Sequence, residues 1–184
     1  MPHNVVGKNI KVYENFLTEP ELTPFEIIRS KYRSFAWYFS EVISEEYLRF
    51  VKDDFINFQF CHTLYSDFSQ QSSFFSLCEP ILNKLKVKAL QRVKLNLTFP
   101  TQKPTHLGTY HNDCYRDGKV DTTSTVAVFY PFENNGKFLV KENDTEYTID
   151  NKANQLIVIP NTLEHLGISN TDNVPRYALN IVYY

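Results

Sequence analysis

QLIVIPNTLEHLGISNTDNVPRYALNIVYY, residues 155–184, contains three short apolar segments, which are separated by polar connections with asparagine and proline. The segments are QLIVIP, HLGIS and RYALNIVYY. Short runs that are rich in β-branched and aromatic residues and bounded by turn residues are typical of β-strands. We therefore predict three strands at the end of the chain.

The same pattern extends back along the chain to residue 91. Five further segments precede residue 155, with turn residues at 134–136 and 143–144 between some of them: QRVKLNLTF, HLGTYHND, STVAVFY, GKFLVK and EYTID. Eight short strands at this spacing favour a sandwich or a double-sheet jelly roll over alternating βαβ units. We expect a mainly β (α+β) fold with helices packed on one sheet.

Residues 1–90 have a mixed pattern. Aromatic-rich or alternating segments predict strands at 10–16, 35–43 and 55–65. Helices are predicted from Thr18 to about Arg29 and at 73–90, the second of which begins or kinks near Pro80. We expect a single domain over residues 1–184, in which 1–90 form a mixed support region and 91–184 form the jelly-roll core.

Charge and composition argue against several classes of protein. The 19 basic and 21 acidic residues are well mixed and give a formal net charge of -2, so no basic surface predicts a nucleic-acid or membrane partner. The first residues lack the pattern of a secretion signal, and no run is apolar enough for a membrane span. Three cysteines without a C-x-x-C pair suit a reducing compartment. We expect a cytoplasmic protein.

The segment GTYHNDCYRDG, residues 108–118, contains the first candidate metal ligands. His111 and Asp113 are two residues apart, so in an extended strand they project from the same face. An H-x-D pair is weak evidence by itself, because it can be a simple hydrogen-bonded pair at a strand end. His165, at the start of another predicted strand, offers a third ligand. Two imidazoles and one carboxylate suit non-haem Fe(II), whereas structural zinc prefers a closed tetrahedral shell.

The last predicted strand offers a candidate anion site. Alternation along this strand aims Arg176, Ala178 and Asn180 at one face. An arginine on an inward face is costly unless an anion pairs with it. A carboxylate ligand held bidentately would supply that anion, and a surface salt bridge is the alternative.

The pattern His111-x-Asp113, then His165 after a strand that ends in Ile-Pro, then Arg176 eleven residues later, resembles the motif set of the 2-oxoglutarate- and Fe(II)-dependent dioxygenases. That superfamily is built on a double-stranded β-helix, a cupin-like jelly roll. The tail RYALNIVYY is similar to the prolyl-hydroxylase-like branch. The segment VAVFYPFENNGKFLV also matches in kind, and the resemblance covers about residues 93–184.

The resemblance implies specific roles for five residues. His111, Asp113 and His165 would bind Fe(II), while Arg176 would bind the distal carboxylate of the cosubstrate 2-oxoglutarate, and Tyr130 would add a hydrogen bond to that carboxylate. Dioxygen would be the second cosubstrate.

The chain departs from the family at two positions near this site. Ala178 stands where many relatives have Ser or Thr, although alanine is usual in the hydroxylase-like branch. Phe99 stands where relatives often have a tyrosine that reaches the cosubstrate, and a phenylalanine cannot donate that hydrogen bond.

The implied function is a dioxygenase that hydroxylates a substrate and releases succinate and CO2 from 2-oxoglutarate. The substrate would be a small molecule or a peptidyl residue, and no motif in the sequence identifies it. One alternative is a cupin-like metal-binding or structural jelly-roll protein without 2-oxoglutarate turnover. Another is a cupin dioxygenase or isomerase that uses the metal alone. Dependence on 2-oxoglutarate and on the charge of Arg176 separates these functions.

Overall fold

The computed structural model describes residues 4–30, 35–40, 43, 55–56 and 58–184. Short strands alternate with helices in the first half: β1 (Asn4–Val5), β2 (Lys11–Tyr13), α1 (Glu19–Ser30), β3 (Tyr38–Ser40), β4 (Phe55–Ile56), β5 (Gln59–Ser66), β6 (Ser69–Gln70), a 3-10 helix (Ser73–Leu77) and α2 (Glu79–Leu85). Strands fill the second half: β7 (Leu90–Thr98), β8 (His106–His111), β9 (Tyr115–Arg116), β10 (Lys119–Val120), β11 (Thr125–Tyr130), β12 (Lys137–Glu142), β13 (Thr145–Asp150), β14 (Gln155–Pro160), β15 (His165–Ile168) and β16 (Arg176–Tyr183).

The described strands form two main sheets. Nine of them make a large sheet in the order β1-β2-β14-β11-β16-β7-β5-β3, with β6 paired to β5. Five make a smaller sheet in the order β13-β12-β15-β8-β4, and β9 and β10 form a separate hairpin. All eight strands predicted from residue 91 onward form and lie in these two sheets, so the prediction of a mainly β, jelly-roll-like fold is confirmed.

The large sheet has an outer face that packs against the helices and an inner face that packs against the small sheet. Alternate residues of each strand belong to different hydrophobic clusters, as the period of two requires. The outer cluster includes residues of the sheet and of both helices: Phe25, Ile28, Ile81, Val93, Leu95, Leu97, Ala127, Phe129, Leu179 and Ile181. The inner cluster joins the two sheets: Val126, Val128, Tyr130, Phe138, Val140, Ile149, Ile157, Ile159 and Ala178.

Helix α1 forms where the sequence predicts it. The backbone N–H of Thr18 donates to Glu21 Oε2 at 2.8 Å, and the Thr18 hydroxyl donates to the same oxygen at 2.9 Å. These bonds cap the helix start, where free N–H groups need partners. The buried side chains Phe25 and Ile28 then hold the helix against the outer face of the large sheet.

The second predicted helix is shorter than residues 73–90. A 3-10 helix and α2 cover residues 73–85, and Pro80 lies in the first turn of α2, as predicted. Lys86 has a left-handed conformation with φ 54°, and its N–H bonds to Asn83 O and Leu82 O, which ends the helix. Residue 90 already belongs to β7, so the prediction of helix over 86–90 is wrong.

The predicted first-half strands are also shorter than expected: β2, β3 and β5 lie towards the edges of the large sheet, whereas β4 lies at an edge of the small sheet. The segment 10–16 forms only β2, which pairs with β14. The segment 35–43 forms β3, with 41–42 outside the described residues, and 55–65 forms parts of β4 and β5. In the part of the chain that the structure describes, neither helix has the length and apolar character needed to cross a membrane.

Candidate active site

A cavity of about 940 Å³ lies between the two sheets. Its wall combines inward side chains of the central strands of the large sheet with side chains from β8, β12 and β15 of the small sheet. The lining includes Arg92, Lys94, Asn96, Thr98, His111, Asp113, Tyr130, His165, Gly167, Arg176, Ala178 and Asn180. All five site residues predicted from the sequence line this one cavity.

His111, Asp113 and His165 meet in the cavity wall. One ligand atom from each lies within 4.8 Å of the others, so the three side chains could hold a metal ion. His111 ends β8 and His165 begins β15, and the two residues are partners in the antiparallel register of these strands. Strand pairing therefore brings together two imidazoles that are far apart in the sequence.

Asp113 lies in a loop, and the expectation that it shares a strand with His111 is wrong. Strand β8 ends at His111, and the loop that follows is held by Asn161, whose side chain is fully buried. The backbone N–H groups of Asp113 and Cys114 both donate to Asn161 Oδ1 at 3.0 Å. Asn161 Nδ2 donates to Cys114 O at 2.8 Å and to Asp121 O at 2.9 Å.

Asn161 is therefore a positioning residue that the sequence analysis missed. An asparagine just after a predicted strand has the appearance of an ordinary turn residue. Only the tertiary structure shows that its amide replaces the strand ladder as the support for Asp113.

Two further side chains hold the Asp113 carboxylate. Arg92 Nη2 donates to Asp113 Oδ1 at 2.6 Å, and Asn180 Nδ2 donates to Asp113 Oδ2 at 2.8 Å. Arg92 also donates to Asn180 Oδ1 at 3.1 Å, which links the two supports. His165 Nε2 lies 3.3 Å from Asp113 Oδ2. The alternation of RYALNIVYY predicted that Asn180 lies on the same face of the strand as Arg176. The role of Arg92 was not predicted.

The protonation states of the cluster suit metal binding. Burial lowers the pKa of His111 below its usual value of 6.5, and the neighbouring His165 lowers it further. Burial opposes ionisation of Asp113, but the Arg92 guanidinium and the two imidazoles outweigh it and hold the pKa of this carboxyl well below 3.8. Metal ligands must be deprotonated, and these shifts favour a neutral His111 and an ionised Asp113.

Hydrogen bonds to the backbone also orient the two imidazoles. His111 Nδ1 lies 2.7 Å from Thr109 O, and His165 Nδ1 lies 3.4 Å from Leu163 O. A carbonyl oxygen only accepts, so Nδ1 of His111 donates, and the lone pair of its Nε2 is left for a metal.

Arg176 lies in the same cavity as a buried cation without a carboxylate partner among the described residues. It is 7% exposed, and its Nη2 donates to the Tyr130 hydroxyl at 2.9 Å. Its Nε is buried and has no hydrogen-bond partner in the described chain. Gly167 leaves room for the guanidinium, since a Cβ there would lie 3.1 Å from Arg176 Nη2. This arrangement can receive an anion.

Tyr130 is fully buried beside Arg176. Burial raises the pKa of its hydroxyl above the usual value of 10, so the group keeps its proton. Because the oxygen accepts from Arg176, its O–H is available to donate to a bound anion.

Of the two positions at which the sequence departs from the family, Ala178 lines the cavity and Phe99 does not. Phe99 is 52% exposed and points away from the cavity, with its ring at the edge of Phe60. The inward position is Thr98, whose Oγ1 is buried without a partner in the described chain. Ala178 lies on the inner face, as predicted. Thr98 therefore offers a hydroxyl group in the cavity wall, and the neighbouring Phe99 does not contribute to it.

Cys114, which follows Asp113 directly, and His106, at the start of β8, do not join the metal cluster. Cys114 is buried, and its Sγ lies 4.0 Å from the Tyr184 hydroxyl. His106 begins β8 and is exposed to solvent.

Comparison with known proteins gives no match at the level of sequence: no protein-family model matches this chain, and no curated protein does. The fold does have known counterparts. A prolyl hydroxylase from Trichoplax adhaerens, solved with a peptide fragment of the hypoxia inducible factor oxygen degradation domain, has a TM-score of 0.67 to this chain at 10% identity, over 96% of this chain and 83% of that one. The fold is that of the 2-oxoglutarate- and Fe(II)-dependent oxygenases.

Two further solved structures support this assignment of the fold. A prolyl-4-hydroxylase from Pseudomonas putida has a TM-score of 0.64 at 16% identity and covers 95% of this chain and 92% of that one. HygX from Streptomyces hygroscopicus, solved with nickel and 2-oxoglutarate bound, has a TM-score of 0.60 at 11% identity and covers 95% of this chain and 82% of that one. The similarity therefore includes the first half of the chain, where the sequence shows no family motif.

Proposed function

We propose that the protein is a non-haem Fe(II)- and 2-oxoglutarate-dependent dioxygenase that hydroxylates its substrate with release of succinate and CO2. One observation favours this function over the cupin-like alternatives. A single cavity contains a cluster of two histidines and one aspartate together with Arg176, a buried cation without a carboxylate partner in the described chain. A metal-binding protein without a carboxylate cosubstrate gives no reason for that arginine.

The three candidate ligands fit Fe(II). Two imidazoles and one carboxylate occupy one side of a metal and leave positions open, which is the donor set of the non-haem iron oxygenases. When bound, the iron would activate dioxygen, with 2-oxoglutarate as the source of the additional electrons. His111, Asp113 and His165 would hold it.

The other residues of the cavity would position the ligands and the cosubstrate. Arg92 and Asn180 each hold one oxygen of Asp113, which limits its rotation. Arg176 and the Tyr130 hydroxyl would bind the distal carboxylate of 2-oxoglutarate through charge-assisted hydrogen bonds.

The substrate class is proposed from the same neighbours. The prolyl hydroxylase from Trichoplax adhaerens was solved in complex with a peptide fragment. HygX has also been solved with hygromycin B bound. We propose a small-molecule or peptidyl substrate for this chain, which would enter the space beside the metal cluster.

Anaerobic binding tests the site before the substrate is known. Metal-free protein receives Fe(II) and then 2-oxoglutarate, and the weak visible charge-transfer band of the chelate is recorded. We expect the band in the wild type, its loss in Asp113→Ala, and a roughly 10- to 100-fold higher 2-oxoglutarate requirement in Arg176→Leu. Arg29→Leu, at an exposed arginine of α1, serves as the matched control and should behave as the wild type.

Two outcomes would contradict the proposal. Iron binding without the band would indicate a cupin-like metal protein that does not use 2-oxoglutarate. Failure of the wild type to bind iron at the three candidate ligands would remove the metal site itself.

A further inference from the structure

A second cation without an ion-pair partner among the described residues, Lys94, projects into the cavity from the inner face of β7. Lys94 lines the cavity together with Arg92, Asn96 and Thr98, which alternate along the same strand. In the sheet register, Lys94 is the partner of Asn180 on β16 and of Thr63 on β5. Its position is therefore beside the residues that hold Asp113.

Lys94 lacks a counter-charge among the described residues. Asp113 is the carboxylate whose charge raises the pKa of Lys94, but it is ion-paired to Arg92 at 2.6 Å. Asp67 also lines the cavity, but it is exposed and accepts a hydrogen bond from Ser66 at 3.2 Å. Burial lowers the pKa of Lys94 and the positive charge of Arg92 lowers it further, whereas Cys61 and Asp113 oppose the shift with smaller effects.

The position of Lys94 separates it from the proposed cosubstrate site. Arg176 is the register partner of Thr98, while Lys94 lies four residues earlier on the same strand. Four residues of a strand span about 13 Å. The distal carboxylate of 2-oxoglutarate, bound to Arg176, would therefore lie too far along the strand to pair with Lys94.

We propose that Lys94 binds an anionic group, a carboxylate or a phosphate, of the substrate that is oxidised. Asn96, the next inward residue on β7, provides a hydrogen-bonding group for the same ligand. The inference rests on the proposed function, because it assigns Arg176 to 2-oxoglutarate and Lys94 to the substrate. If Lys94 has this role, the substrate is an acidic small molecule or a peptide with an acidic side chain.

Paramagnetic line broadening tests this without a known substrate. Protein is loaded with Mn(II) below the protein concentration and with saturating 2-oxoglutarate, since Mn(II) broadens the NMR signals of molecules bound near it. The probes are benzoate, its neutral analogue benzamide, and inorganic phosphate. The variants are Lys94→Met, Lys94→Arg and Lys11→Met, the last being a matched control at an exposed lysine of β2.

We expect the wild type to broaden the signals of benzoate or of phosphate, but not those of benzamide. Lys94→Met should weaken binding of that anion by about 10- to 100-fold, whereas Lys94→Arg should retain it and Lys11→Met should match the wild type. Binding of 2-oxoglutarate should change less than about twofold in all variants. The preferred probe distinguishes a carboxylate substrate from a phosphorylated one.

Three results would overturn the inference. The first is equal broadening in the wild type and Lys94→Met, and the second is no anion binding by the wild type. The third is loss of 2-oxoglutarate binding in Lys94→Met, which would assign Lys94 to the cosubstrate. If the wild type binds neither Mn(II) nor 2-oxoglutarate, the proposed function itself fails, and this result is distinct from the other three.

Discussion

The two faces of the large sheet use the same strands for opposite purposes. On β7, the outward residues Val93, Leu95 and Leu97 are buried among the helices, whereas the inward residues from Arg92 to Thr98 are polar or charged. On β16, Leu179 faces outward and Asn180 faces inward. A period of two lets one strand contribute to the core and to the site at once.

The faces also differ in what they contribute to the free energy of unfolding. Each buried aliphatic side chain on the outer face stabilises the fold by about 1.5–3 kcal/mol. The inner face has an apolar cluster of its own, but it also contains four buried polar atoms without partners in the described chain: Arg92 Nε, Asn96 Oδ1, Thr98 Oγ1 and Arg176 Nε. Each such atom costs about 1–3 kcal/mol. The outer face therefore offsets the cost of a polar cavity.

The largest effect should come from opening a hole in the outer face. Leu179→Ala removes a fully buried side chain and should lower the free energy of unfolding by about 2–5 kcal/mol, measured by urea denaturation. The folded variant should bind metal as the wild type does. The comparison of faces would be wrong if Leu179→Ala weakened metal binding with little loss of stability.

The next largest effect should come from the support of Asp113 on the inner face. Arg92→Met removes the hydrogen bond to Asp113 Oδ1 and should weaken Mn(II) binding by about 10- to 100-fold, measured by electron paramagnetic resonance titration. Arg92→Lys, which keeps the charge, should recover part of that affinity. Full Mn(II) affinity in Arg92→Met would show that Asn180 and Asn161 position Asp113 without it.

A smaller effect distinguishes an arginine that binds a ligand from one that stabilises the fold. Arg176→Leu loses the hydrogen bond to Tyr130, which destabilises the fold, but it also removes a buried charge without an ion-pair partner in the described chain, which stabilises it. The two effects should nearly cancel. The free energy of unfolding of the ligand-free variant should therefore lie within about 1 kcal/mol of the wild-type value. With metal present, 2-oxoglutarate at about 100 times its wild-type Kd should stabilise the wild type by about 2.7 kcal/mol. In the variant, this gain should fall below about 1.5 kcal/mol. A large loss of stability in the ligand-free variant would instead make Arg176 a structural residue.

The smallest effect concerns the ion pair that links the two helices on the outer face. Lys84 holds Glu21 and lowers the pKa of this carboxyl from 4.5 to about 2. Because the pKa is lower in the folded state, the stabilisation is present above pH 4.5 and is lost as the pH falls towards 2. Wild type and Glu21→Gln should differ by at most about 1 kcal/mol at pH 6 and should converge near pH 2, measured by urea denaturation. A difference that persists at pH 2 would contradict this origin.

Much of the fold could be predicted from local pattern. Alternation and turn residues predicted the eight strands from residue 91 onward, and the capping residues of α1 predicted its start. The end of α2 could not be predicted in the same way, because Lys86 is an ordinary helix former that adopts a left-handed conformation here. The strands before residue 60 were overestimated, since apolar and aromatic content does not define where pairing ends.

The candidate site divides in a similar manner. The types of side chain and their placement on predicted strands made His111, Asp113, His165 and Arg176 candidates, and the family resemblance implied their roles. The loop position of Asp113 and its support by Asn161 were not predicted. The sequence also did not predict that Lys94 lacks an ion-pair partner among the described residues, because ion pairing depends on neighbours from other strands.

The sequence by itself determined the strand pattern, the two faces of each strand and the chemical identity of the candidate ligands, since these depend on residues one or two positions apart. Only the tertiary structure decided which of these residues meet. Arg92 and Asn180 reach Asp113 across separations of 21 and 67 positions. Such contacts depend on strand order and register, which follow from the packing of the whole sheet rather than from any local segment.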